Sequence, residues 1–281
     1  MSSLPRIAGY ELLRSLGGGP LTQVYAAREL ESDEACALKV LRPDWEDRTT
    51  AIKLLQREAR ALLAVKHPHL VRLLHAHVTT PPYFLVMEQL EGESLLARLR
   101  RSFRLDLAAA FWVGRQIAEA LTALHRSGFL HGDVKPANVH LIKDGQAILV
   151  DLGFAHRVGE NAAFLRAGYV LGTADYLAPE MCRQESEGSE SSDVFSLGVM
   201  LFEMLTGRLP YPSGSVDQVF RRHSYDPPDD IRRHVPELPV SMAKLLERML
   251  ARQPSLRPKA SEVTGKLLKL EINGFGKRLA G

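Results

Sequence analysis

Short apolar runs separated by turn residues fill the first part of the chain. Three such runs follow one another, at 10–16, 24–27 and 35–40. Runs of this length, bounded by polar residues and by a glycine triplet at 17–19, predict β-strands. Over 50–65 the apolar residues instead recur at every third or fourth position, which predicts a helix. The apolar run at 83–90 predicts a further buried strand.

Helical patterns dominate the second part of the chain. Apolar positions over 106–128 predict a helix that follows an aspartate N-cap and ends before a glycine. The segment 193–205 is apolar on almost every side, so we expect a helix in the centre of the fold, capped by Ser191 or Ser192. The helical pattern then continues, with proline breaks, to near Leu270.

Composition narrows the function classes without choosing among them. The 281 residues are 45% hydrophobic, enough for a sizeable core in one large domain or two lobes. The 36 basic and 33 acidic residues nearly cancel, so we expect no nucleic-acid partner. No apolar run approaches the ~20 residues needed to cross a bilayer. Cys36 and Cys182 lie far apart, as is typical of reduced thiols, so we expect a cytoplasmic protein without a membrane span in this chain.

The residues that carry chemistry are concentrated between positions 131 and 153. Asp133, Lys135 and Asn138 lie close together in sequence, and Asp151 follows an apolar strand. A phosphoryl transfer needs a carboxylate to orient the attacking hydroxyl, cations beside the phosphates, and oxygen ligands for magnesium. These four residues supply that set in order, and they predict a metal-phosphate site.

The same stretch resembles two motifs of protein kinases, H-R-D-x-x-x-x-N and D-F-G. Here the first begins His131-Gly132-Asp133, and the second reads Asp151-Leu152-Gly153, so glycine replaces the arginine and leucine the phenylalanine. Further kinase-like motifs follow the family order: a glycine-rich loop at 17–24, Ala37-Leu38-Lys39, Glu58, a turn from Gly172 to Glu180, the Asp193 helix, and Arg257. The chain therefore resembles the Hanks-type serine/threonine protein kinases of bacteria.

This resemblance implies an α+β, two-lobed kinase fold. The N-lobe, a β-sheet plus one long helix, is expected over 1–90. A larger, mainly helical C-lobe is expected over 91–270, and a C-terminal tail over 271–281. The resemblance also implies that Asp193 braces the catalytic loop and that Glu180 pairs with Arg257.

The resemblance implies roles for individual residues, with ATP and Mg²⁺ as cofactors. Asp133 would orient the substrate hydroxyl, and Lys135 would neutralise the γ-phosphate. Lys39, held by Glu58, would grip the other phosphates. The implied metal ligands are Asn138 and Asp151. The implied nucleotide-binding residues are Gly17, Gly18, Gly19, Val24, Ala37, Lys39, Met87, Glu88, Leu90 and His140, with Glu93 or Ser94 near the ribose.

Three of the nucleotide-binding positions depart from the family pattern. Thr22 replaces the third glycine of the loop, and Pro20 has no amide hydrogen to donate. His140 occupies a position that is usually aliphatic because it packs beneath the adenine. A neutral imidazole can stack there, so nucleotide affinity is expected to change rather than vanish.

The expected activation segment carries no residue for the usual activating phosphate. Positions 154–172 contain neither serine nor threonine, and Tyr169 is their only hydroxyl. The arginine that clamps such a phosphate is Gly132 here, so both partners are missing together. We therefore predict an enzyme that does not depend on phosphorylation of this segment.

Two other functions stay open beside a serine/threonine kinase that acts on proteins. One is a pseudokinase, a nucleotide-binding module without transfer. The other is a small-molecule phosphotransferase of the aminoglycoside or choline kinase kind, which often has His-Gly-Asp where this chain has 131–133. Lys135 and the turn at 172–180 favour a protein substrate. A homodimer is a further expected partnership, because kinase lobes commonly dimerise.

Overall fold

The first part of the chain folds as a twisted antiparallel sheet that supports one long helix. The structure, a computed structural model, describes residues 4–143 and 145–279. Its first sheet has five strands in the order β1-β2-β3-β5-β4. The strands are β1 Tyr10–Gly18, β2 Thr22–Glu29, β3 Ala35–Leu41, β4 Leu73–His77 and β5 Phe84–Glu88. All the predicted strands are present, and helix α1, Thr49–Ala64, confirms the helical pattern at 50–65.

The central strand β3 is buried on both faces, which explains its nearly continuous apolar sequence. Leu38 and Val40 pack with residues of β5 on one face. Leu41 packs on the other face against Leu55 and Ala59 of α1. Helix α1 covers this second face. The polar residues of α1 near Ala59 therefore lie at the end of the sheet that faces the second part of the chain.

The second part is mainly helical, with a small three-stranded sheet at its border with the first. That sheet comprises β6 Gly92–Ser94, β7 Val139–Ile142 and β8 Ala147–Leu149. The helices are α2 Leu95–Ser102, α3 Leu107–Arg126, α4 Ala162–Arg166, α5 Pro179–Cys182, α6 Glu190–Thr206, α7 Val216–Tyr225, α8 Ile231–His234, α9 Val240–Met249 and α10 Ala260–Leu279.

Helix α6 lies in the centre of this part, as its apolar sequence predicts, and nearly all its side chains are buried. The prediction that Ser191 or Ser192 caps it is wrong. The N-cap is Ser189, whose hydroxyl accepts the backbone N–H of Ser192 while the Ser192 hydroxyl accepts the N–H of Ser189. This reciprocal capping box satisfies two N–H groups and begins the helix earlier.

The ends of the other predicted helices test the capping signals. Helix α3 begins after Asp106, whose side chain accepts the N–H of Ala109, and it is followed by Gly128 at φ 76°, as predicted. Helix α10 continues to Leu279 and therefore passes the predicted end near Leu270.

The predicted two-part order, sheet first and helices second, is confirmed. The boundaries at 90 and 270 stay predictions, and positions 1–3, 280 and 281 of the predicted lobe and tail lie outside the described residues. Within the residues described, no helix combines the length and the apolar character that crossing a bilayer requires.

Candidate active site

The loop after α3 is held by a buried aspartate of the central helix. Asp193, in the first turn of α6, accepts the backbone N–H groups of His131 and Gly132, each at 2.9 Å. His125 Nε2, near the end of α3, lies 2.9 Å from the same carboxylate. Burial alone would raise the pKa of Asp193, but these partners lower it, so the side chain stays an acceptor. The predicted brace between Asp193 and the loop is confirmed.

Asp133 is buried, and the residues described provide a partner for only one of its two carboxylate oxygens. Its Oδ2 lies 2.6 Å from Lys135 Nζ and accepts the amide N–H of Asn138 at 3.0 Å. Its Oδ1 is buried and has no hydrogen-bond partner among the residues described. A buried carboxylate oxygen without a partner is costly unless a ligand completes it. Oδ1 is therefore suited to accept a hydrogen bond from a hydroxyl group.

Lys135 also reaches the segment that follows the site. Its Nζ donates to Thr173 Oγ1 at 2.5 Å while it is paired with Asp133. One ammonium thus joins the loop after α3 to the turn at 172–180, and its charge lies beside the Asp133 carboxylate.

Lys39 lies between two carboxylates that come from different parts of the chain. Its Nζ is 2.6 Å from Glu58 Oε2 on α1 and 2.6 Å from Asp151 Oδ1. Burial would lower the pKa of Lys39, but the two carboxylates outweigh it and raise the pKa, so the ammonium is charged. Glu58 also accepts the backbone N–H of Leu152 at 3.2 Å. The predicted pairing of Lys39 with Glu58 is confirmed.

Asn138 and Asp151 form the candidate metal site. The backbone carbonyl of Asn138 accepts the N–H of Val150 at 2.8 Å, which places Asn138 beside Asp151. The Asn138 amide nitrogen is used on Asp133, so its side-chain oxygen is the atom that can bind a cation. Burial would raise the pKa of Asp151, but Lys39 outweighs it and lowers the pKa to about 2, which keeps the carboxylate ionised.

This donor set fits magnesium better than a metal that needs an all-protein cage. None of the described residues belongs to a group of three or more His, Cys, Asp or Glu side chains able to hold a metal. Magnesium commonly takes only one or two protein oxygens and completes its shell with water and phosphate oxygens. Asn138 and Asp151 match that requirement.

The glycine-rich turn between β1 and β2 is braced by side chains rather than by a third glycine. Gly18 is packed so closely that a Cβ there would lie 2.6 Å from the carbonyl oxygen of Thr22. That carbonyl accepts the N–H of Gly19 at 2.9 Å, which closes the turn around Pro20. Pro20 and Thr22 are therefore compatible with a tight turn here, although neither supplies the freedom of a glycine.

Comparison with known proteins decides the family. The protein kinase domain family matches residues 10–267 of the chain. The chain belongs to the protein kinase domain family. This membership confirms the kinase resemblance drawn from the motifs, and the sheet followed by helices is its two-lobed α+β fold.

Three curated relatives are serine/threonine-protein kinases of bacteria. The chain is 30% identical to PrkC of Bacillus subtilis over 258 residues, which cover 92% of this chain and 40% of PrkC. It is 32% identical to PknD of Mycobacterium tuberculosis over 249 residues, which cover 88% of this chain and 37% of PknD. It is 34% identical to pkn2 of Myxococcus xanthus over 259 residues, 90% of this chain and 31% of pkn2. The chain thus spans less than half of each of these three proteins.

The predicted nucleotide-binding residues of this kinase domain lie along strands that meet at the border of the two lobes. Val24 pairs with Lys39 across β2 and β3, and Ala37 pairs with Met87 across β3 and β5. The Glu88 side chain accepts the N–H of Arg72 at 2.8 Å. Leu90, two residues after the end of β5, is half-buried against the core. No ligand tests these positions, so their contact with a nucleotide stays a prediction.

His140 and Glu93 have surroundings that bear on this prediction. His140 lies in β7 between Ser94 and Ile148, and burial lowers the pKa of its imidazole, which favours the neutral ring. Glu93 is bound by Arg98 and Arg101, each at 2.7 Å, so its carboxylate is already paired where the ribose was expected.

The pairing of Glu180 with Arg257 is confirmed. Two guanidinium nitrogens of Arg257 donate to the two oxygens of Glu180, each at 2.8 Å, and the Arg257 side chain is fully buried. Ser192 donates to the same carboxylate at 2.8 Å. This cluster attaches the turn at 172–180 to α6 and to the last helices.

Sequence reasoning missed the polar residues that brace the site from outside its motifs. Arg42 donates to the carbonyl of Gly19 at 3.1 Å and to Gln23 at 2.7 Å, and Gln23 donates to the carbonyl of Gly17 at 2.7 Å. Arg57 bonds Asn161 at 2.8 Å. Arg42, Arg57 and Asn161 belong to none of the motifs, and long side chains that meet across a fold leave no periodic signal in the sequence.

Proposed function

We propose that this kinase domain transfers the γ-phosphate of Mg-ATP to serine and threonine hydroxyls of proteins in the cytoplasm. The observation that carries the proposal is the unpaired Oδ1 of Asp133. The other oxygen of this carboxylate, Oδ2, lies 2.6 Å from Lys135 Nζ, and Lys135 also contacts Thr173. This arrangement brings together a carboxylate that can accept the substrate hydroxyl, a cation for the transferred phosphoryl group, and the turn at 172–180.

In this proposal Asp133 orients the substrate hydroxyl through Oδ1 and takes its proton as transfer proceeds. Lys135 neutralises charge on the γ-phosphate, since its ammonium is fixed between Asp133 and Thr173. Lys39, fixed by Glu58, binds the phosphates nearer the nucleoside. Each group is held in place before ATP arrives, which reduces the ordering needed at the transition state.

Asn138 and Asp151 would hold Mg²⁺ through side-chain oxygens, and the Asp151 carboxylate lies 2.6 Å from the Lys39 ammonium. When bound, Mg²⁺ neutralises phosphate charge that builds up during transfer. The ionised state of Asp151, with its pKa lowered to about 2, supports this role across the physiological pH range. The nucleotide would be enclosed by the glycine turn, Val24, Ala37, Met87, Glu88 and Leu90. The neutral imidazole of His140 would pack beneath the adenine.

The proposed enzyme needs no phosphate on residues 154–172. Gly132 has φ 80°, and a Cβ there would lie 2.9 Å from the carbonyl oxygen of Phe154. The position that carries the clamping arginine in related motifs is thus built for glycine here. A stoichiometric and activating phosphate on Tyr169, which is exposed, would contradict this part of the proposal.

The decisive experiment follows labelled γ-phosphate from Mg-ATP to the chain itself and to a generic basic protein. Asp133→Asn and Asp151→Asn should each lower transfer by at least ~100-fold, since one removes the base and the other a metal ligand. Asp217→Asn, an exposed acid in the first turn of α7, is the matched control and should transfer normally. Equal loss in all three variants would contradict the assignment.

Two alternatives give different results in the same assay. A pseudokinase would bind ATP and transfer nothing, an outcome that the altered glycine loop and His140 favour. A small-molecule phosphotransferase would label a hydroxyl compound and no protein, although the contact between Lys135 and Thr173 favours a protein substrate. The proposed homodimer is tested separately by sedimentation equilibrium.

A further inference from the structure

The turn at 157–161, which follows the Asp151 motif, is attached to helix α1. Arg57 donates to the side-chain oxygen of Asn161 and to the backbone carbonyl of Glu160, each at 2.8 Å. Arg60, one helical turn along, donates to Glu160 Oε1 at 2.6 Å. Two guanidinium groups of α1 thus bind one short turn by three hydrogen bonds. We call these four residues the α1 brace.

A second carboxylate fixes the same turn to the C-lobe. Glu187 lies just before the N-cap of α6 and accepts the backbone N–H groups of Asn161, at 2.7 Å, and of Gly159. The Glu160 carboxylate also accepts the N–H of Arg157 at 2.9 Å, which closes the turn on itself. The turn is therefore bound on one side to the C-lobe and on the other side to α1.

The α1 brace acts beside the residue that orients Lys39. Arg57 directly precedes Glu58, and the Glu58 carboxylate binds both Lys39 and the N–H of Leu152. Successive residues of a helix point about 100° apart, so Arg57 can bind the turn while Glu58 faces the site. Both sets of contacts therefore depend on the position of α1.

We propose that the α1 brace positions helix α1, and with it the Lys39–Glu58 pair. In this arrangement the Glu160 carboxylate and the Asn161 amide take the place of an activating phosphate. This inference rests on the proposed kinase activity. The four brace residues are positioning residues and do not touch the reacting atoms. The Arg60 guanidinium binds the Glu160 carboxylate by a charge-assisted hydrogen bond, and guanidinium binds phosphate oxygens by bonds of the same kind.

The composition and charge of the segment agree with this role. Residues 154–172 contain neither serine nor threonine, so no such phosphate competes for Arg57 and Arg60. Partial burial would raise the pKa of Glu160, but the N–H of Arg157 and the Arg60 guanidinium outweigh it and lower the pKa. The anion of the α1 brace is thus permanent, and the active arrangement needs no second enzyme.

The test compares Arg57→Ala, Arg57→Lys and Glu160→Gln with wild type in the full chain. We expect kcat for transfer to a basic protein to fall at least ~5-fold in Arg57→Ala and Glu160→Gln, as for a typical coupling between sites. Arg57→Lys keeps the charge but makes only one of the two hydrogen bonds, so its kcat should lie between. Matched controls are Lys53→Ala, an exposed cation of α1, and Glu185→Gln, which pairs with Arg183.

Two further measurements separate positioning from general destabilisation. Backbone amide exchange in α1 and at Leu152 should be faster in Arg57→Ala and Glu160→Gln than in wild type. The thermal unfolding midpoints of these two variants should stay close to those of the controls. In a double-mutant cycle, Arg60→Ala should add little to Glu160→Gln, because both remove the same contact.

Unchanged kcat and unchanged exchange in all brace variants would overturn the inference. A wild-type chain that binds ATP and transfers nothing would overturn the proposed function instead. In that event amide exchange in α1 would still report whether the brace positions the helix.

Discussion

The carboxylate of Asp193 and the backbone N–H of Gly132 lie 2.9 Å apart, although they are 61 positions apart in sequence. The second oxygen of Asp193 accepts the N–H of His131, and the side chain is only 3% exposed. The conformation of the catalytic loop is therefore determined from the central helix α6 rather than by the loop itself. Asp133, the next residue after Gly132, is placed by this contact.

Asp193→Asn should impair both stability and transfer. Asparagine has one acceptor oxygen, so its amide N–H₂ would face at least one backbone N–H of the loop. We expect the free energy of unfolding to fall by about 2 kcal/mol, the scale of a lost hydrogen bond to a charged group. A shift of the loop should lower kcat by at least ~10-fold. Urea unfolding and steady-state kinetics measure the two effects.

Asp106→Asn is the control for that change. Asp106 caps α3 through its side-chain oxygen, and asparagine caps helices about as well as aspartate. Its stability and kcat should match the wild type. If Asp193→Asn behaves like Asp106→Asn, the loop is not held from α6.

Gly132→Ala should be more harmful than Gly128→Ala. Both glycines have positive φ, 80° and 76°, so alanine adds similar backbone strain, on the order of 1 kcal/mol, at each. At Gly132 the new Cβ would also lie 2.9 Å from the Phe154 carbonyl oxygen, whereas nothing lies within 4 Å at Gly128. We expect a larger loss of unfolding free energy and a loss of kcat only for Gly132→Ala. Equal effects in urea unfolding and kinetics would contradict the steric argument.

The sequence predicts the residues of the site better than it predicts the side chains that hold them in place. Asp133, Lys135 and Asn138 are close in the chain, so local backbone geometry alone brings them together. The pairing of Lys39 with Glu58 is predicted from their resemblance to kinase motifs, and their contact is confirmed. Such a prediction depends on short motifs that follow one another in a known order, which a single sequence shows.

Contacts between long polar side chains were missed for a physical reason. Arg57 and Glu160 are 103 positions apart, and their pairing depends on how the activation segment turns, which no periodicity encodes. The cap of α6 was misplaced because the run contains several serines, each a good N-cap. Only the reciprocal bonds of Ser189 and Ser192 select the first.

Arg257→Met should destabilise the C-lobe severely. It leaves the buried Glu180 carboxylate with Ser192 as its remaining side-chain partner, and removing one member of a buried pair typically costs about 3–5 kcal/mol. Urea unfolding of wild type and variant gives the difference. Arg183→Met is the control, because its pair with Glu185 is on the surface, and its unfolding midpoint should not change. Equal midpoints for the two variants would contradict a structural role for the buried pair.

The same pair predicts an acid-dependent loss of stability. Burial raises the pKa of Glu180, but the Arg257 guanidinium outweighs it, so the folded pKa lies below the usual value. A lowered folded pKa gives stability that is complete above the unfolded pKa of about 4.3 and is lost as pH falls through the folded pKa. The difference in unfolding free energy between wild type and Glu180→Gln should be constant from about pH 6 to 8 and shrink below about pH 4. A difference that grows towards acid would have the wrong sign.

Arg42→Ala should weaken ATP binding more than it slows transfer. Arg42 bonds the carbonyl of Gly19 and the side chain of Gln23, so it fixes the glycine turn that we propose encloses the phosphates. Without this brace the turn must be ordered by the nucleotide itself, at a cost in affinity. We expect KM for ATP to rise about 5-fold, equivalent to roughly 1 kcal/mol, with kcat nearly unchanged. Gln23→Ala should act alike, and Arg28→Ala, whose pair with Asp33 is exposed on β2, should leave KM unchanged. An Arg42→Ala enzyme with wild-type KM would show that the turn holds its shape without the side chains.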